Sequence, residues 1–194
     1  MADTASQDFN HPAHRSTLWL HDEPVGRALA RLEGAVKRKP GFGRSTSVST
    51  TTLVDALRCE SRERDHVVKT DLTPALGGHD TGPSPSALLR AALGSCLTMG
   101  YRLRAAHHRI PVDRIRVEVE TDSELAGMLD PEASNPPGFL EIRYRVEIDS
   151  PAPADVIDRL IGEADRLSPV LDSITRPVPA TRLASRRVTG GGEG

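Results

Sequence analysis

The chain has 194 residues, a net charge of −2 and 27% charged residues, which suits one soluble domain with an extension. The arginines are spread along the chain and only 3% of residues are aromatic, so nothing in the pattern supports a nucleic-acid partner. No run of about 18 apolar residues predicts a membrane span, and no secretory signal is recognisable. The two cysteines, Cys59 and Cys96, do not form a disulfide framework, so we expect a cytoplasmic protein.

The first predicted element is an amphipathic helix over residues 23–37. Its apolar residues recur at helical spacing: Val25, Ala28, Leu32 and Val36. Pro40 and Gly41 end it. Residues 1 to about 17 are polar and are predicted to be poorly ordered. We therefore assign residues 1–45 to an N-terminal extension with one helix.

The next segment is rich in Ser, Thr and Val and predicts an antiparallel hairpin. Its strands are Thr46–Cys59 and Val67–Asp71, with a polar turn near Arg64 and Asp65. Paired glycines then mark a loop that leads into a long helix.

The long helix has no proline from Ser86 to His108 and is apolar on much of its circumference. One face carries Leu88, Ala92, Cys96, Met99 and Leu103. A neighbouring stripe carries Leu89, Leu93, Leu97 and Tyr101. Such a helix is expected to be buried, and a small antiparallel sheet cannot cover all of it. The excess apolar surface predicts a partner subunit.

Further strands and a helix complete the chain: strands over 115–120 and 140–148, a helix over 153–167 and a final strand over 179–188. Segregated helices and strands imply an α+β domain with a mostly antiparallel sheet. The main domain is expected to span residues 46–188, and residues 189–194 form a Gly-rich, flexible tail.

Cys96, in the middle of the long helix, is either an inert part of the core or a reactive thiol. Taken alone, an inert core thiol is the simpler interpretation, because free cysteine usually behaves as a small hydrophobe. A reactive thiol needs a lowered pKa, which requires a nearby cation or a helix N-terminus. The mid-helix position rules out the N-terminus, so an arginine from elsewhere in the fold would be needed.

The residues around Cys96 resemble a known family. The chain carries ALGGHDTGPSP at 75–85, AALGSC at 91–96, and SPVLDSI at 168–174 followed by Pro177-Val178-Pro179. This ordered set resembles the superfamily of osmotically inducible protein C (OsmC) and organic hydroperoxide resistance (Ohr) proteins over roughly residues 46–188. The later two motifs are similar to the family's second helix and last strand.

The resemblance implies an OsmC-like fold, in which a mostly antiparallel sheet wraps around a long buried central helix in an intertwined homodimer. It also implies a thiol site at the subunit interface, where Cys96 matches the family's attacking cysteine. The family's arginine would come from the early strands, with Arg58 as the best match and Arg62 and Arg64 as rivals. The implied partners are an organic hydroperoxide and an external thiol reductant, with no cofactor and no metal.

Two positions depart from the family's pattern. Ser86 stands where the family has a glutamate, so the carboxylate that would orient the arginine is absent. Ser168 stands where the family has its resolving cysteine, although the same serine is equally explained as a helix cap. Cys59 is a poor substitute, because it neighbours Arg58 on a strand and adjacent strand residues face opposite sides.

The sequence therefore predicts a thiol-dependent hydroperoxide reductase, slow or degenerate, that acts in the response to oxidative stress. The alternative is a non-enzymatic dimer whose interface pocket binds a small apolar ligand, with Cys96 merely lining that pocket.

Overall fold

The computed structural model describes residues 22–184 of the chain. Its helices are α1 (Asp22–Arg38), α2 (Pro85–His108), α3 (Ala126–Leu129), α4 (Ala154–Arg166) and α5 (Pro169–Thr175). Its strands are β1 (Thr50–Asp55), β2 (Arg58–Glu63), β3 (His66–Thr70), β4 (Arg114–Ser123) and β5 (Phe139–Asp149). The mixture of helices and antiparallel sheet confirms the predicted fold class. The predicted disorder near the start and the predicted tail lie outside the described residues.

The first three strands form an antiparallel sheet in the order β1-β2-β3. The predicted turn at Arg64 and Asp65 is confirmed, with Glu63 paired to His66 across it. The prediction of one continuous strand from Thr46 to Cys59 is wrong, because the chain reverses between Asp55 and Arg58. Ala56 makes that turn with φ of 43°, a conformation that alanine adopts rarely, so no glycine or proline marked it in the sequence.

The second sheet is a two-stranded antiparallel ribbon of β4 and β5, as their alternating patterns predicted. Ile115 pairs with Ile148 and Val117 with Val146, so the apolar side chains share one face. Exposed pairs of opposite charge cross the other face, such as Arg116 with Glu147. The ribbon therefore offers one apolar face to the rest of the chain.

The long helix α2 is buried along one stripe and exposed along another. Leu93, Leu97 and Tyr101 are fully buried in the core that α2 forms with the β4–β5 ribbon and α4. On another side of the helix, Met99 is 64% exposed. The described chain therefore covers one side of α2, and the remaining side is the surface for which the sequence predicts a partner subunit.

The C-terminal part of the described chain differs from the prediction. The helix predicted over 153–167 is confirmed as α4, and a second short helix, α5, follows it at once. The strand predicted over 179–188 is wrong for residues 179–184, which form no strand, and residues 185–188 lie outside the described range. Pro177 and Pro179 lack the N–H that a strand donates, and neither described sheet includes this segment.

No helix in the range 22–184 is long and apolar enough to cross a membrane.

Candidate functional site

The helix that carries Cys96 begins at a well-formed cap. The Ser84 hydroxyl accepts a hydrogen bond from the Ala87 backbone N–H at 3.2 Å. Pro85 takes the first helical position, where a missing N–H costs nothing. This local sequence fixes the start of α2 and places Cys96 in the middle of a 24-residue helix.

The Cys96 thiol is half-buried and lies against the N-terminus of α5. Its Sγ atom is 3.3 Å from Oγ of Ser168, although the two residues are 72 positions apart in the chain. Ser168 is only 3% exposed. The fold therefore brings the predicted attacking thiol and the serine at the family's resolving position into direct contact.

Ser168 also caps a helix, which was the alternative explanation of this residue. It is the N-cap of α5, and its Oγ accepts a hydrogen bond from the Leu171 backbone N–H at 3.4 Å. The two interpretations are compatible, because a hydroxyl oxygen can accept one bond while its hydrogen serves another partner.

Arg58 begins β2 and is half-buried. Within residues 22–184, its side chain makes no hydrogen bond or ion pair, and the three-stranded sheet has no extensive contact with α2. The single chain does not bring Arg58 to Cys96, so its role stays a prediction. Of its rivals, Arg62 pairs with Glu60 at 3.0 Å and Arg64 lies in the β2–β3 turn.

The first turn of α2 carries no acidic residue, and Ser86 there is exposed. No neighbour in this turn therefore replaces the family's glutamate, whose carboxylate would orient the arginine. Both cysteines are free thiols, and Cys59 lies on β2 with its Sγ 3.9 Å from the Leu57 carbonyl oxygen.

Sequence analysis missed a buried polar contact behind the thiol. The Tyr101 hydroxyl donates to Oδ1 of Asp165 at 2.6 Å, and the Tyr144 hydroxyl donates to Oδ2 at 3.0 Å. Burial, reinforced by the hydrogen bond to Asp165, raises the pKa of both tyrosines above the ordinary value. Asp165 lies three residues before Ser168, so this contact holds the end of α4 against α2 and β5. The only sign of this contact in the sequence was Tyr101 on the buried stripe of α2, because a buried tyrosine hydroxyl needs a hydrogen-bond partner.

Asp71, which the sequence left without a role, organises the loop before α2. Its carboxylate is 2% exposed and accepts hydrogen bonds from the backbone N–H groups of Leu72, His79 and Thr81 and from the Thr81 hydroxyl. Burial alone would raise the pKa of Asp71, but these hydrogen bonds, led by those from Thr81, lower it to about 2. Gly78 is required beside it, because a Cβ there would lie 2.0 Å from the Leu72 carbonyl oxygen.

Two cavities lie on different sides of this region, one beside α2 and the other beside α4 and α5. One of about 440 Å³ is largely apolar, and its lining consists of Val25, Thr98, Met99, Arg102, Leu103 and Ile115. The other, of about 600 Å³, lies between β5 and the α4–α5 region and includes Tyr144 and Asp165 in its wall. Among the described residues, no group of His, Cys, Asp and Glu side chains is arranged to hold a metal ion.

Comparison with solved structures identifies proteins of the same fold. An OsmC-like protein from Mycoplasma pneumoniae superposes with a TM-score of 0.59 at 19% identity, over 68% of this chain and 89% of that one. An OsmC-like protein from Vibrio cholerae gives 0.54 at 12% identity, over 67% and 94% of the two chains. An organic hydroperoxide resistance protein OsmC from Legionella pneumophila gives 0.51 at 18% identity, over 67% and 89%. Identities this low show a shared fold and nothing finer.

The comparison with curated protein sequences gives no match. The family model described as OsmC-like protein, however, matches residues 78–182, more than half of the chain, and that range contains both Cys96 and Ser168. The ordered motifs, the fold and this match agree, and the chain belongs to the OsmC/Ohr superfamily.

Proposed function

We propose that this protein is a thiol-dependent reductase of organic hydroperoxides that acts in the response to oxidative stress, with Cys96 as the attacking thiol. The observation that carries the proposal is the half-buried Cys96 sulfur on the family's long helix, 3.3 Å from Ser168. A solved structure of the same fold is named an organic hydroperoxide resistance protein, which supports this substrate class.

The reaction follows from thiol chemistry. The Cys96 thiolate attacks the distal peroxide oxygen, the O–O bond breaks, and the substrate leaves as an alcohol after taking up a proton. Cys96 is left as a sulfenic acid. One external thiol then forms a mixed disulfide with Cys96 and releases water. A second external thiol attacks that disulfide, forms a disulfide with the first and releases the Cys96 thiol.

The external reductant is needed because this chain offers no resolving thiol beside Cys96. A serine hydroxyl at position 168 cannot form a disulfide. Cys59 lies on the three-stranded sheet, which does not pack extensively against α2. With Ser86 in place of the family's glutamate, the cycle is expected to be slow compared with that of a two-cysteine enzyme.

We propose further that the working unit is an intertwined homodimer in which α2 becomes the buried central helix. Met99 on α2 is 64% exposed, and the sheet that carries Arg58 has no extensive packing partner among the helices and strands of residues 22–184. In such a dimer, the Arg58 guanidinium would reach the Cys96 thiolate of the other subunit and stabilise its charge.

Steady-state turnover tests the proposed function. The protein is mixed with an organic hydroperoxide and a dithiol, and peroxide consumption is followed beside a Cys96→Ser variant. We expect catalytic consumption by the wild type and none by the variant, with Arg58→Ala reduced at least tenfold. Equal rates for the wild type and Cys96→Ser would reject the peroxidase.

The apolar cavity favours a second candidate function. Met99 and Leu103, on the same helix as Cys96, line the 440 Å³ space, which is of a size suited to a small apolar ligand. A protein that binds such a ligand but fails the turnover test is a binding protein. Cys96 is not among the residues that line this cavity, so its thiol would then be an inert part of the packing.

A further inference from the structure

Ser168 is held rigidly beside the Cys96 sulfur. Its backbone N–H donates to the Asp165 carbonyl oxygen at 3.2 Å, and its own carbonyl oxygen accepts from the Asp172 N–H at 3.0 Å. The side chain is 3% exposed, so water does not compete freely for its hydroxyl. The position of Oγ is therefore set by the α4–α5 junction and not by a flexible side chain.

The hydrogen bonds of Ser168 determine which way its hydroxyl points once Cys96 is ionised. Oγ uses one lone pair to accept the Leu171 N–H at 3.4 Å, so its own hydrogen is left for a second partner. The Cys96 Sγ lies 3.3 Å away. A thiolate has no hydrogen to give and acts only as an acceptor, so once Cys96 ionises the Ser168 O–H is the donor.

We propose that Ser168 is a catalytic residue of this chain, donating a hydrogen bond to the Cys96 thiolate. The hydroxyl thus stabilises the attacking form of the thiol from within the same chain, whereas Arg58 does not reach Cys96 in that chain. This hydrogen bond does not depend on the proposed function; only the assumption that the thiolate attacks a peroxide does.

A second serine provides the matched control. Ser84 is also followed by proline, is also an N-cap and also accepts a backbone N–H three residues on, at 3.2 Å. No hydrogen bond joins Ser84 to either cysteine in the described part of the chain. Ser84→Gly therefore measures the effect of losing an N-cap hydroxyl that is not hydrogen-bonded to a cysteine.

The test is the pH dependence of Cys96 alkylation by iodoacetamide, read on the Cys96 peptide by mass. Because a hydrogen bond to a charged group shifts an ionisation by about one to two pH units, Ser168→Gly should raise the midpoint of the profile by at least about one pH unit. Glycine is a tolerated N-cap, so α5 is retained. Ser168→Thr should keep the wild-type midpoint, and Ser84→Gly should not move it. The Cys59 peptide serves as an internal control in each sample.

Superimposable Cys96 profiles for wild type and Ser168→Gly would overturn the inference, as would an equal shift in Ser84→Gly. If Ser168→Gly does not fold, Ser168→Ala also removes the hydroxyl and decides the question in the same way. Peroxide turnover is a separate readout. If the wild type reduces peroxide but the Ser168→Gly profile is unshifted, only the role of Ser168 is rejected. If the profile shifts but the wild type does not reduce peroxide, only the peroxidase activity is rejected.

Discussion

At the scale of single residues, Asp71 shows how a buried carboxylate prepares the helix that carries the thiol. It gathers four donors from the segment between β3 and α2, and the loop therefore enters α2 in one defined conformation. Since these bonds favour the ionised form, the pKa of Asp71 falls from 3.8 to about 2. A carboxyl group with a lowered pKa in the folded state stabilises the fold above its unfolded pKa, and this contribution is lost as the pH falls.

We predict that Asp71→Asn destabilises the protein at pH 7 and that the difference from wild type shrinks as the pH falls from about 4 toward about 2. The amide keeps one acceptor oxygen and leaves several loop N–H groups without a partner. Urea midpoints of both proteins at pH 7 and pH 3 measure the difference. Asp80→Asn, at an exposed position in the same loop, should match wild type at both values. A gap that stays constant between the two pH values would contradict the linkage.

The residues of the candidate site could be predicted only where a recognisable sequence motif surrounds them. Cys96 and Ser168 were found because ordered motifs surround them. Asp165 was missed because its partners, Tyr101 and Tyr144, lie at distant chain positions. Asp71 was missed because its bonds to the loop that follows it obey no periodic spacing. Arg58 could be named as a candidate, but its guanidinium has no partner among residues 22–184 that would define its role.

At the scale of elements, α1 packs on the C-terminal half of α2. Gly26 allows a close crossing, because a Cβ there would lie 3.1 Å from the Ala106 carbonyl oxygen. Farther along α1, the Glu33 carboxylate contacts Arg104 at 3.4 Å and His107 at 3.5 Å. These contacts lie beyond the turn that carries Cys96, and Val25 of α1 reaches toward that turn, where it lines a cavity with Thr98 and Met99. None of them joins α1 to Cys96 or Ser168.

Deletion of residues 1–40 should therefore lower the free energy of unfolding by roughly 2 kcal/mol, the scale of one buried aliphatic side chain. The rate of Cys96 alkylation should be unchanged. Deletion of residues 1–21, which keeps α1, is the control and should cost much less. Urea unfolding at one fixed protein concentration measures both. Equal stability of the full chain and the protein that lacks residues 1–40 would show that α1 is not part of the folded unit.

Elements were predictable where periodicity was strong and failed where it was weak. The alternation in β4 and β5 and the apolar stripe of α1 were enough to place those elements. The β1–β2 turn was hidden, because Ala56 adopts a positive φ without a glycine to mark it. The strand expected over 179–188 agreed with the family's last strand, but residues 179–184 pair with no described strand.

At the scale of the whole molecule, apolar surface remains uncovered in the described chain. Leu53 on β1 is 61% exposed and Met99 on α2 is 64% exposed. Exposed apolar surface that spans several elements is unusual for a monomer and is typical of an interface. The pattern fits the homodimer proposed above, in which each sheet packs against the other subunit.

Sedimentation at micromolar concentration should therefore give twice the 20.9 kDa mass of one chain. Met99→Glu places a charge on the exposed stripe of α2 and should shift the equilibrium toward the monomer. A stable species at the mass of a single chain for the wild type would rule out the homodimer.

The proposed reaction requires the Cys96 sulfur to attack the peroxide, and mass spectrometry of the oxidised protein shows whether it does. The reduced protein is treated with one equivalent of an organic hydroperoxide, without an external thiol, and each cysteine peptide is weighed after trapping with a reagent for sulfenic acid. We expect sulfenic or sulfinic acid on Cys96, with Cys59 still reduced and Cys96→Ser inert. Reduced Cys96, whether Cys59 reacts or nothing reacts, would contradict it.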